Sequence, residues 1–457
     1  MDNDTLKRLF KAGAVLLVLD APQNQLEFGI DVNCWNTGPK FKGIKIIPPG
    51  AHFVYYSLHT SKNKPTEPQD ESGTMEVTEG GPTGGDVRIG FWHVFESGEV
   101  IVMKWNAYNE EMELETDQEQ IARYKAGIQE FDPFLGAYPL LPPDSTYPAW
   151  VKISNHIQKN IISRVFVDRG FVNSHDDQLE DELSRATKII QRQEEEAKPE
   201  KDKDASSAHQ GPRKTTTIAE EDEEEMEIEP TTTSEPPQQP TQKEQLVTFT
   251  PINLRSSFRK GAVGEEVTRY SMDKSWLLNN LFTTVYKSDV SSYLGEYQAA
   301  FVTMLLSYHL GAFRQWKTMT ILICQSSEAL SSSNYMRLFS EFIQTLHAQL
   351  SSIPSSFFMD LLFASSDESD MTASFLEQAL KTLARNIQSG LRRGECTELR
   401  RPMRELQKAV LESFEWKIAG DFKKAPKVVE IQEDMDPSYD DDDDYVEEGE
   451  YAPVIVE

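Results

Sequence analysis

The chain has 457 residues, more than the roughly 100–200 of one compact domain, so its length predicts two domains with linkers. Hydrophobic residues make up 38% of the sequence, below the roughly 45–50% typical of globular chains, which indicates that part of the length does not fold. The formal net charge of −29 opposes direct binding to nucleic acid, and the lack of an 18-residue apolar run argues against a membrane span.

Residues 1–172 have the pattern of a β-rich domain, for which we expect a β-sandwich-like architecture. Its strand candidates are short apolar runs separated by Gly and Pro, at residues 14–19, 43–47, 51–56, 89–95 and 100–105. The last two runs flank a polar turn in which Gly98 can adopt the positive φ of a hairpin. The polar residues 60–87 predict a long surface loop.

Residues 173–245 are rich in Glu, Lys, Gln, Ser, Thr and Pro, and eight acidic residues lie between 220 and 229. Such a segment cannot bury enough apolar surface to offset the entropy that is lost when it is ordered. We therefore predict a disordered acidic linker, with a charged helix over 177–197 as its first part.

Residues 246–424 return to helical periodicity and predict an α-helical domain, either a bundle or a short solenoid. One apolar stripe runs from Leu294 to Tyr308. A second runs from Tyr335 to Leu350, and its helix ends before Pro354 because proline cannot continue a helix. Further helices are predicted over 271–285, 311–325, 357–364, 372–391 and 399–416.

Residues 425–457 form an acidic tail, in which two β-prone patches flank a run with eleven acidic residues between 433 and 450. Isolated strands are unstable in water, so these patches either stay unstructured or pair with the edge of an existing sheet. The acidic run suits a basic protein surface, or it simply keeps the chain in solution.

The sequence contains no recognisable signature of a catalytic site, a nucleotide-binding loop or a metal site, so we expect a protein that is not an enzyme and needs no cofactor. Cys34, Cys324 and Cys396 are widely spaced, without a CxxC or Cys/His pattern, which predicts reduced thiols. Asp31 with His52 is the strongest enzymatic alternative, but no nucleophile accompanies this pair. The acidic N-terminus lacks the basic residues of a targeting leader, so we expect an intracellular protein.

Residues 28–53 resemble the signature of the cistron-splicing factor family. The matching positions lie in one ungapped segment: Gly29, Asp31, Trp35, Gly38, Pro39, Phe41, Gly43, Pro48, Pro49, Gly50, His52 and Phe53. Glycines and prolines at these positions would set turns between strands, and the aromatic residues would fill the core of the sheet. Further similarity extends over both predicted domains, at 90–92, 104–105, 134–139, 270–273, 294–296, 316–317, 353–354 and 357–358.

The resemblance implies a non-enzymatic assembly factor of the U5 small nuclear ribonucleoprotein, with a helical domain similar to the VHS-like superhelix. It implies binding to the large scaffold protein of the spliceosome, through the scaffold's RNase H-like and Jab/MPN-like domains. This binding would hold the precursor particle in the cytoplasm and block premature binding of the unwinding helicase until nuclear import. We accordingly expect a monomer found in the cytoplasm and the nucleus, with no nucleic acid or membrane partner.

Two other functions remain as alternatives. The first is a VHS-like adaptor that binds sorting or signalling peptides, which binding to such peptides or to lipid vesicles would favour. The second is a hydrolase with an unrecognised site, which turnover of generic substrates by the purified protein would support.

The tail and three serines supply candidate binding and regulatory residues. The resemblance implies that the tail pairs with the partner as an added strand, for which residues 425–430 are one candidate and the other is Ala452, Pro453, Val454, Ile455 and Val456. We also expect release of the partner by phosphorylation. The candidate sites are Ser438, which lies in an acidic context that acidophilic kinases prefer, and the pair Ser256 and Ser257 beside Arg255 and Arg259.

Overall fold

A computed structural model of the protein describes residues 12–23, 25–58, 76–77, 88–140, 145–166, 171–173, 247–353 and 372–422. The predicted helices over 177–197 and 357–364 lie outside these ranges. So do the acidic tail and all of the predicted linker except residue 173, which ends a strand.

The strands of the described residues form two mixed sheets. They are β1 (Ala14–Leu19), β2 (Leu26–Ile30), β3 (Asn33–Asn36), β4 (Gly43–Ile47), β5 (Gly50–Leu58), β6 (Glu76–Val77), β7 (Arg88–Phe95), β8 (Val100–Asn106), β9 (Glu111–Leu114), β10 (Leu135–Ala137) and β11 (Phe171–Asn173). The first sheet has the order β10-β4-β1-β8-β9, and the second has the order β11-β7-β5-β2-β3-β6. Pairing is parallel between β1 and β8 and between β4 and β10, and antiparallel elsewhere.

The five predicted strands are confirmed, and Gly98 in the turn between β7 and β8 has a φ of 67°. The predicted hairpin is wrong, because β7 and β8 lie in different sheets and this turn carries the chain from one sheet to the other. The predicted loop over 60–87 contains a short strand, β6, which pairs with β3. Strands β2 and β3, at residues 26–30 and 33–36, were not predicted as strands, although the family signature begins within them.

The two sheets pack face to face. Successive side chains of a strand point to opposite sides, so β1 contributes side chains to two different clusters. Leu16 and Val18 lie in one core with residues of the second sheet, including Phe28. Leu17 faces the other way and belongs to a cluster beneath two helices, α1 (Gln118–Ala126) and α2 (Ile128–Phe131). Strand β1 is therefore buried on both faces. The two packed sheets confirm a sandwich-like N-terminal half.

Helices dominate the remainder. Two short ones, α3 (Tyr147–Ser154) and α4 (Lys159–Val165), precede the linker. After the linker come α5 (Glu265–Met272), α6 (Ser275–Thr284), α7 (Val290–Ser307), α8 (Leu310–Cys324), α9 (Ser333–Ser351), α10 (Thr372–Arg392) and α11 (Arg400–Phe414). Both apolar stripes and three of the other helices are confirmed to within a few residues. The helix predicted over 271–285 is confirmed only over Ser275–Thr284, because Asp273 is extended and its Oδ1 accepts a hydrogen bond from the Ser275 amide at 2.8 Å.

The N-terminal and C-terminal halves share one hydrophobic core. Phe53 and Trp92 lie on the outer face of the second sheet, where they join Trp150 of α3 and Phe301 of α7 in a single cluster. The indole Nε1 of Trp92 also donates to Thr303 Oγ1 at 3.0 Å. We therefore describe the two halves as one packed body, in which α7 packs directly on the second sheet and α3 and α4 pack beside it.

The two ends of the linker region meet in space. Phe166, which follows α4, forms an antiparallel bridge with Val247, and the Thr248 amide donates to the Val165 carbonyl at 2.6 Å. Residues 166 and 247, on the two sides of the predicted linker, are therefore neighbours in space, and β11 pairs with β7 on the edge of the second sheet.

Candidate functional site

Asp31 is a buried carboxylate at the turn between β2 and β3, surrounded by polar groups. Its Oδ2 lies 2.6 Å from His52 Nδ1 and accepts a hydrogen bond from Tyr138 Oη at 2.6 Å. Its Oδ1 accepts from the Phe53 amide at 3.1 Å. The other ring nitrogen of His52, Nε2, lies 2.8 Å from the carbonyl oxygen of Pro48. All three side chains of this group, those of Asp31, His52 and Tyr138, are buried.

The hydrogen bonds of this group leave His52 without a ring nitrogen that could act as a general base. Both ring nitrogens of His52 face oxygen acceptors, so neither is free to take a proton from a substrate. Burial and the neighbouring carboxylate raise the pKa of the Tyr138 phenol, which keeps its proton in the bond to Asp31. We interpret the group as a polar clamp that joins the β2–β3 turn, the β4–β5 turn and the segment after β10.

The remaining signature residues also serve the fold. Gly43 has a φ of 132°, and a Cβ atom there would lie 1.9 Å from the carbonyl oxygen of Leu16 in the next strand. Phe41 packs on Phe28 with ring centroids 5.3 Å apart, and Trp35 is buried in the core between the sheets. The prediction that aromatic residues of the signature fill the core of the sheet is confirmed for Trp35 and Phe41. Phe53, however, faces the core shared with the helices instead.

A second buried carboxylate, Glu296, lies on α7 in the helical half. Its Oε1 accepts hydrogen bonds from the Thr250 amide at 2.8 Å and from Gln315 Nε2 at 3.0 Å. Its Oε2 accepts from Thr250 Oγ1 at 2.8 Å, Tyr286 Oη at 3.0 Å and Arg164 Nη2 at 2.7 Å. Glu296 is fully buried, and Arg164 compensates its charge. Five hydrogen bonds therefore saturate both oxygens.

Glu296 fastens three parts of the chain at one point. Arg164 comes from α4, before the linker, and Thr250 is among the first described residues after it. The adjacent Gly295 allows a direct backbone contact, since a Cβ atom there would lie 2.5 Å from the carbonyl oxygen of His156. One helical turn away, Gln298 accepts from the His156 amide at 2.8 Å.

Arg88, the first residue of β7, joins the second sheet to the end of α7. Its guanidinium donates to Glu27 Oε1 at 2.6 Å and to the Leu306 carbonyl at 3.2 Å. It also lies over the rings of Tyr55 and Tyr308, about 5 Å from each centroid. This contact and the Glu296 cluster lie at the junction of the two halves, and together they fix how the halves are oriented.

The described ranges contain no group of three or more His, Cys, Asp or Glu side chains placed to hold a metal ion. Among the helices that the structure describes, none combines the length and the apolar run needed to span a bilayer. The three cysteines are free thiols, as predicted, and burial together with the Glu27 carboxylate raises the pKa of Cys34 to about 12.

Large apolar side chains exposed on the surface mark candidate partner contacts. Tyr108, at the tip of the β8–β9 hairpin, is 94% exposed, and Val263 and Met272, beside α5, are each 79% exposed. Tyrosine is enriched among the residues that dominate protein interfaces, whereas single exposed apolar side chains are common on any protein surface. Nothing in the sequence distinguishes these three from core residues, because their exposure depends on how the elements pack.

The predicted regulatory and binding residues are placed as follows. Ser256 is exposed, whereas Ser257 is buried, its hydroxyl donates to the Tyr270 carbonyl, and it lies 3.1 Å from Lys274 Nζ. A kinase could therefore reach Ser256 but not Ser257 in this conformation. Ser438 and the strand candidates at 452–456 lie outside the described residues.

Comparison with known proteins matches both halves of the chain. A family model described as the AAR2 N-terminal domain matches residues 12–167, and one described as the AAR2 C-terminal repeat region matches residues 249–419. The chain is 30% identical over 435 residues to the Protein AAR2 homolog of Macaca fascicularis, covering 95% of this chain and 97% of that relative. It is 29% identical over 438 residues to the human homolog (95% and 98%) and 28% identical over 409 residues to that of Caenorhabditis elegans (89% and 95%).

Proposed function

The chain belongs to the AAR2 family, and on that premise we propose that it is a non-enzymatic pre-mRNA splicing factor that assists assembly of the U5 small nuclear ribonucleoprotein. Family membership supports the splicing-related assembly role. The finer part of the proposal is that the chain binds the large U5 scaffold protein, through the scaffold's RNase H-like and Jab/MPN-like domains. In doing so it keeps the unwinding helicase off the scaffold until the particle has entered the nucleus.

The observation that carries this proposal is the rigid junction between the two halves. A protein that contacts two domains of one partner at once gains affinity when its own two contact surfaces are held in a fixed relation. The shared core, the Glu296 cluster and Arg88 provide that fixed relation. The exposed Tyr108 on the sheet half, and Val263 and Met272 on the helical half, supply an anchor candidate on each half.

Affinity purification of the chain from its native cells tests this proposal. We expect the large scaffold protein to co-purify at low salt, and the unwinding helicase to be absent from the same complexes. Recovery of sorting or signalling peptides in place of spliceosomal proteins would instead favour the VHS-like adaptor. Recovery of no spliceosomal protein would contradict the proposed function.

Release of the scaffold is the proposed regulated step, and Ser256 is the accessible candidate among the described serines. A phosphate adds roughly −1.5 to −2 charges, and Arg255 and Arg259 flank this position. We expect Ser256→Glu to weaken scaffold binding by more than about 0.5 kcal/mol in a calorimetric titration, which exceeds the usual effect of a neutral surface change. Ser438→Glu tests the tail candidate in the same assay.

Ser163→Glu serves as the control, since Ser163 is an exposed helical serine of the other half. If the Ser256→Glu, Ser438→Glu and control chains all bind with the wild-type affinity, neither candidate serine is the switch.

A further inference from the structure

Helix α11 begins with an unusual concentration of positive charge. Arg400 and Arg401 lie in its first turn and Arg404 in the next, and the first turn contains no acidic residue. The N-terminus of a helix carries the positive end of the helix dipole, so cations there are unfavourable and anions are favoured. An anionic ligand at this position would offset both sources of positive charge.

The basic side chains form one face, which we define as Arg400, Arg401, Arg404 and Lys408 and call the basic face of α11. Arg401, Arg404 and Lys408 are exposed and spaced three and four residues apart. Two of them pair with glutamates of the same helix, at 3.0 Å for Arg401 and 3.6 Å for Lys408. Such exposed pairs contribute little and exchange readily for other partners.

Arg400 is the least exposed member of the basic face. Its Nε and Nη2 atoms are shielded from solvent and have no hydrogen-bond partner within the part of the chain that the structure describes. Guanidinium nitrogens buried in this way are costly unless a carboxylate or a carbonyl group accepts from them.

The path of the chain after α11 brings the tail to this face. The helix ends at Phe414, and the chain then reverses, with the Trp416 amide donating to the Val410 carbonyl. Gln407 Nε2 donates to the Gly420 carbonyl at 3.1 Å, so residue 420 lies beside residue 407. Phe422, the last described residue, is fully buried. Residues 416–420 therefore run back along α11 toward its N-terminal half, and the described chain ends two residues later.

The tail has the charge and the length to reach the basic face. It holds eleven acidic residues between 433 and 450, five of them consecutive at 440–444. Asp440 lies eighteen positions after Phe422. A flexible chain of that length has an end-to-end distance of about 24 Å, and α11, with 15 residues, is about 22 Å long. Such a short tether gives an effective concentration on the order of millimolar.

We propose that the acidic run of the C-terminal tail, residues 433–450, docks on the basic face of α11 in the same chain. Docking places the β-prone residues 452–456 close to the helical half and competes with their pairing to any partner. The contact is electrostatic and partly exposed, so it weakens as ionic strength rises. The docked tail would thus compete with any partner that binds the basic face of α11 or pairs with residues 452–456.

Paramagnetic relaxation in the full-length chain tests the proposal. A nitroxide attached to Val446→Cys lies beside the acidic run without removing a charge. Wild-type chain treated with the same reagent reports any labelling of Cys34, Cys324 or Cys396. We expect the backbone amide signals of the non-proline residues in 400–408 to lose at least half of their intensity at low salt, and to recover in about 0.5 M salt, where the Debye length is only a few ångströms.

A charge-reversed chain and a matched control separate docking from chance contact. Arg401→Glu/Arg404→Glu/Lys408→Glu changes only exposed residues, so the chain should fold, and we expect it to abolish the signal loss on α11. Arg255→Glu/Arg259→Glu/Lys260→Glu reverses the same number of exposed charges elsewhere and should leave the loss intact. Unchanged α11 signals in the labelled chain, or a loss that the α11 reversal does not affect, would overturn the proposal.

Discussion

The Glu296→Ala chain is expected to lose about 3 kcal/mol or more of unfolding free energy, because several buried donors lose their acceptor at a cost of about 1–3 kcal/mol each. The substitution leaves the Arg164 guanidinium without its counter-charge, and it leaves the donors of Thr250, Gln315 and Tyr286 without an acceptor. Arg164 and Thr250 lie on opposite sides of the linker, so the loss should loosen the junction of the two halves as well as the local packing.

Denaturant unfolding followed by tryptophan fluorescence measures this loss. Glu296→Gln keeps one oxygen acceptor but removes the charge, and we expect its stability to fall between those of wild type and the alanine variant. Glu412→Ala, an exposed change on α11, is the matched control and should stay within about 0.5 kcal/mol of wild type. A loss below about 1 kcal/mol for Glu296→Ala would show that the cluster does not hold the halves together.

The Asp31→Ala chain is the second expected large change, with a loss of about 3 kcal/mol or more from the unfolding free energy. His52, Tyr138 and the Phe53 amide would all lose their common acceptor inside the N-terminal core. Asp31 also has a φ of 56°, a conformation that Asp and Asn tolerate better than Ala does.

Asp31→Asn separates these two causes, because it retains the backbone preference but replaces one acceptor oxygen with a donor. We expect Asp31→Asn to be destabilised less than Asp31→Ala in the same unfolding assay. His52→Phe keeps an aromatic ring but loses both ring nitrogens, and it should also destabilise. Wild-type stability in both the Asp31→Asn and the His52→Phe chains would contradict a structural role for the clamp.

Five of the eleven described strands and six of the eleven described α-helices could be predicted, because periodicity and apolar runs are local properties of the sequence. The stripe from Leu294 to Tyr308 repeats every three to four residues, so it could only be a helix with a buried face. Strands β2 and β3 were missed because residues 26–36 mix polar and apolar side chains, and β-pairing with distant strands decides their structure. The break at Asp273 was missed because a capping aspartate has no apolar signal.

The candidate site was predictable only in part. The family signature identified Asp31 and His52, but their contact with Tyr138 and with the Pro48 carbonyl depends on the packing of separate turns. Glu296 lay within a matched segment, yet no sequence pattern pairs it with Arg164, which is 132 residues away. Exposure of Tyr108 and burial of Ser257 are likewise results of tertiary packing.

Calorimetric titration of the full-length chain with a scaffold fragment containing the RNase H-like and Jab/MPN-like domains tests the proposed function most directly. We predict saturable binding with one fragment per chain, and an affinity that falls at least tenfold when residues 425–457 are deleted, because main-chain pairing supplies much of the affinity of an added strand. Absence of binding at low salt would contradict the assembly role. Undiminished binding by the tail-less chain would contradict recognition through an added strand.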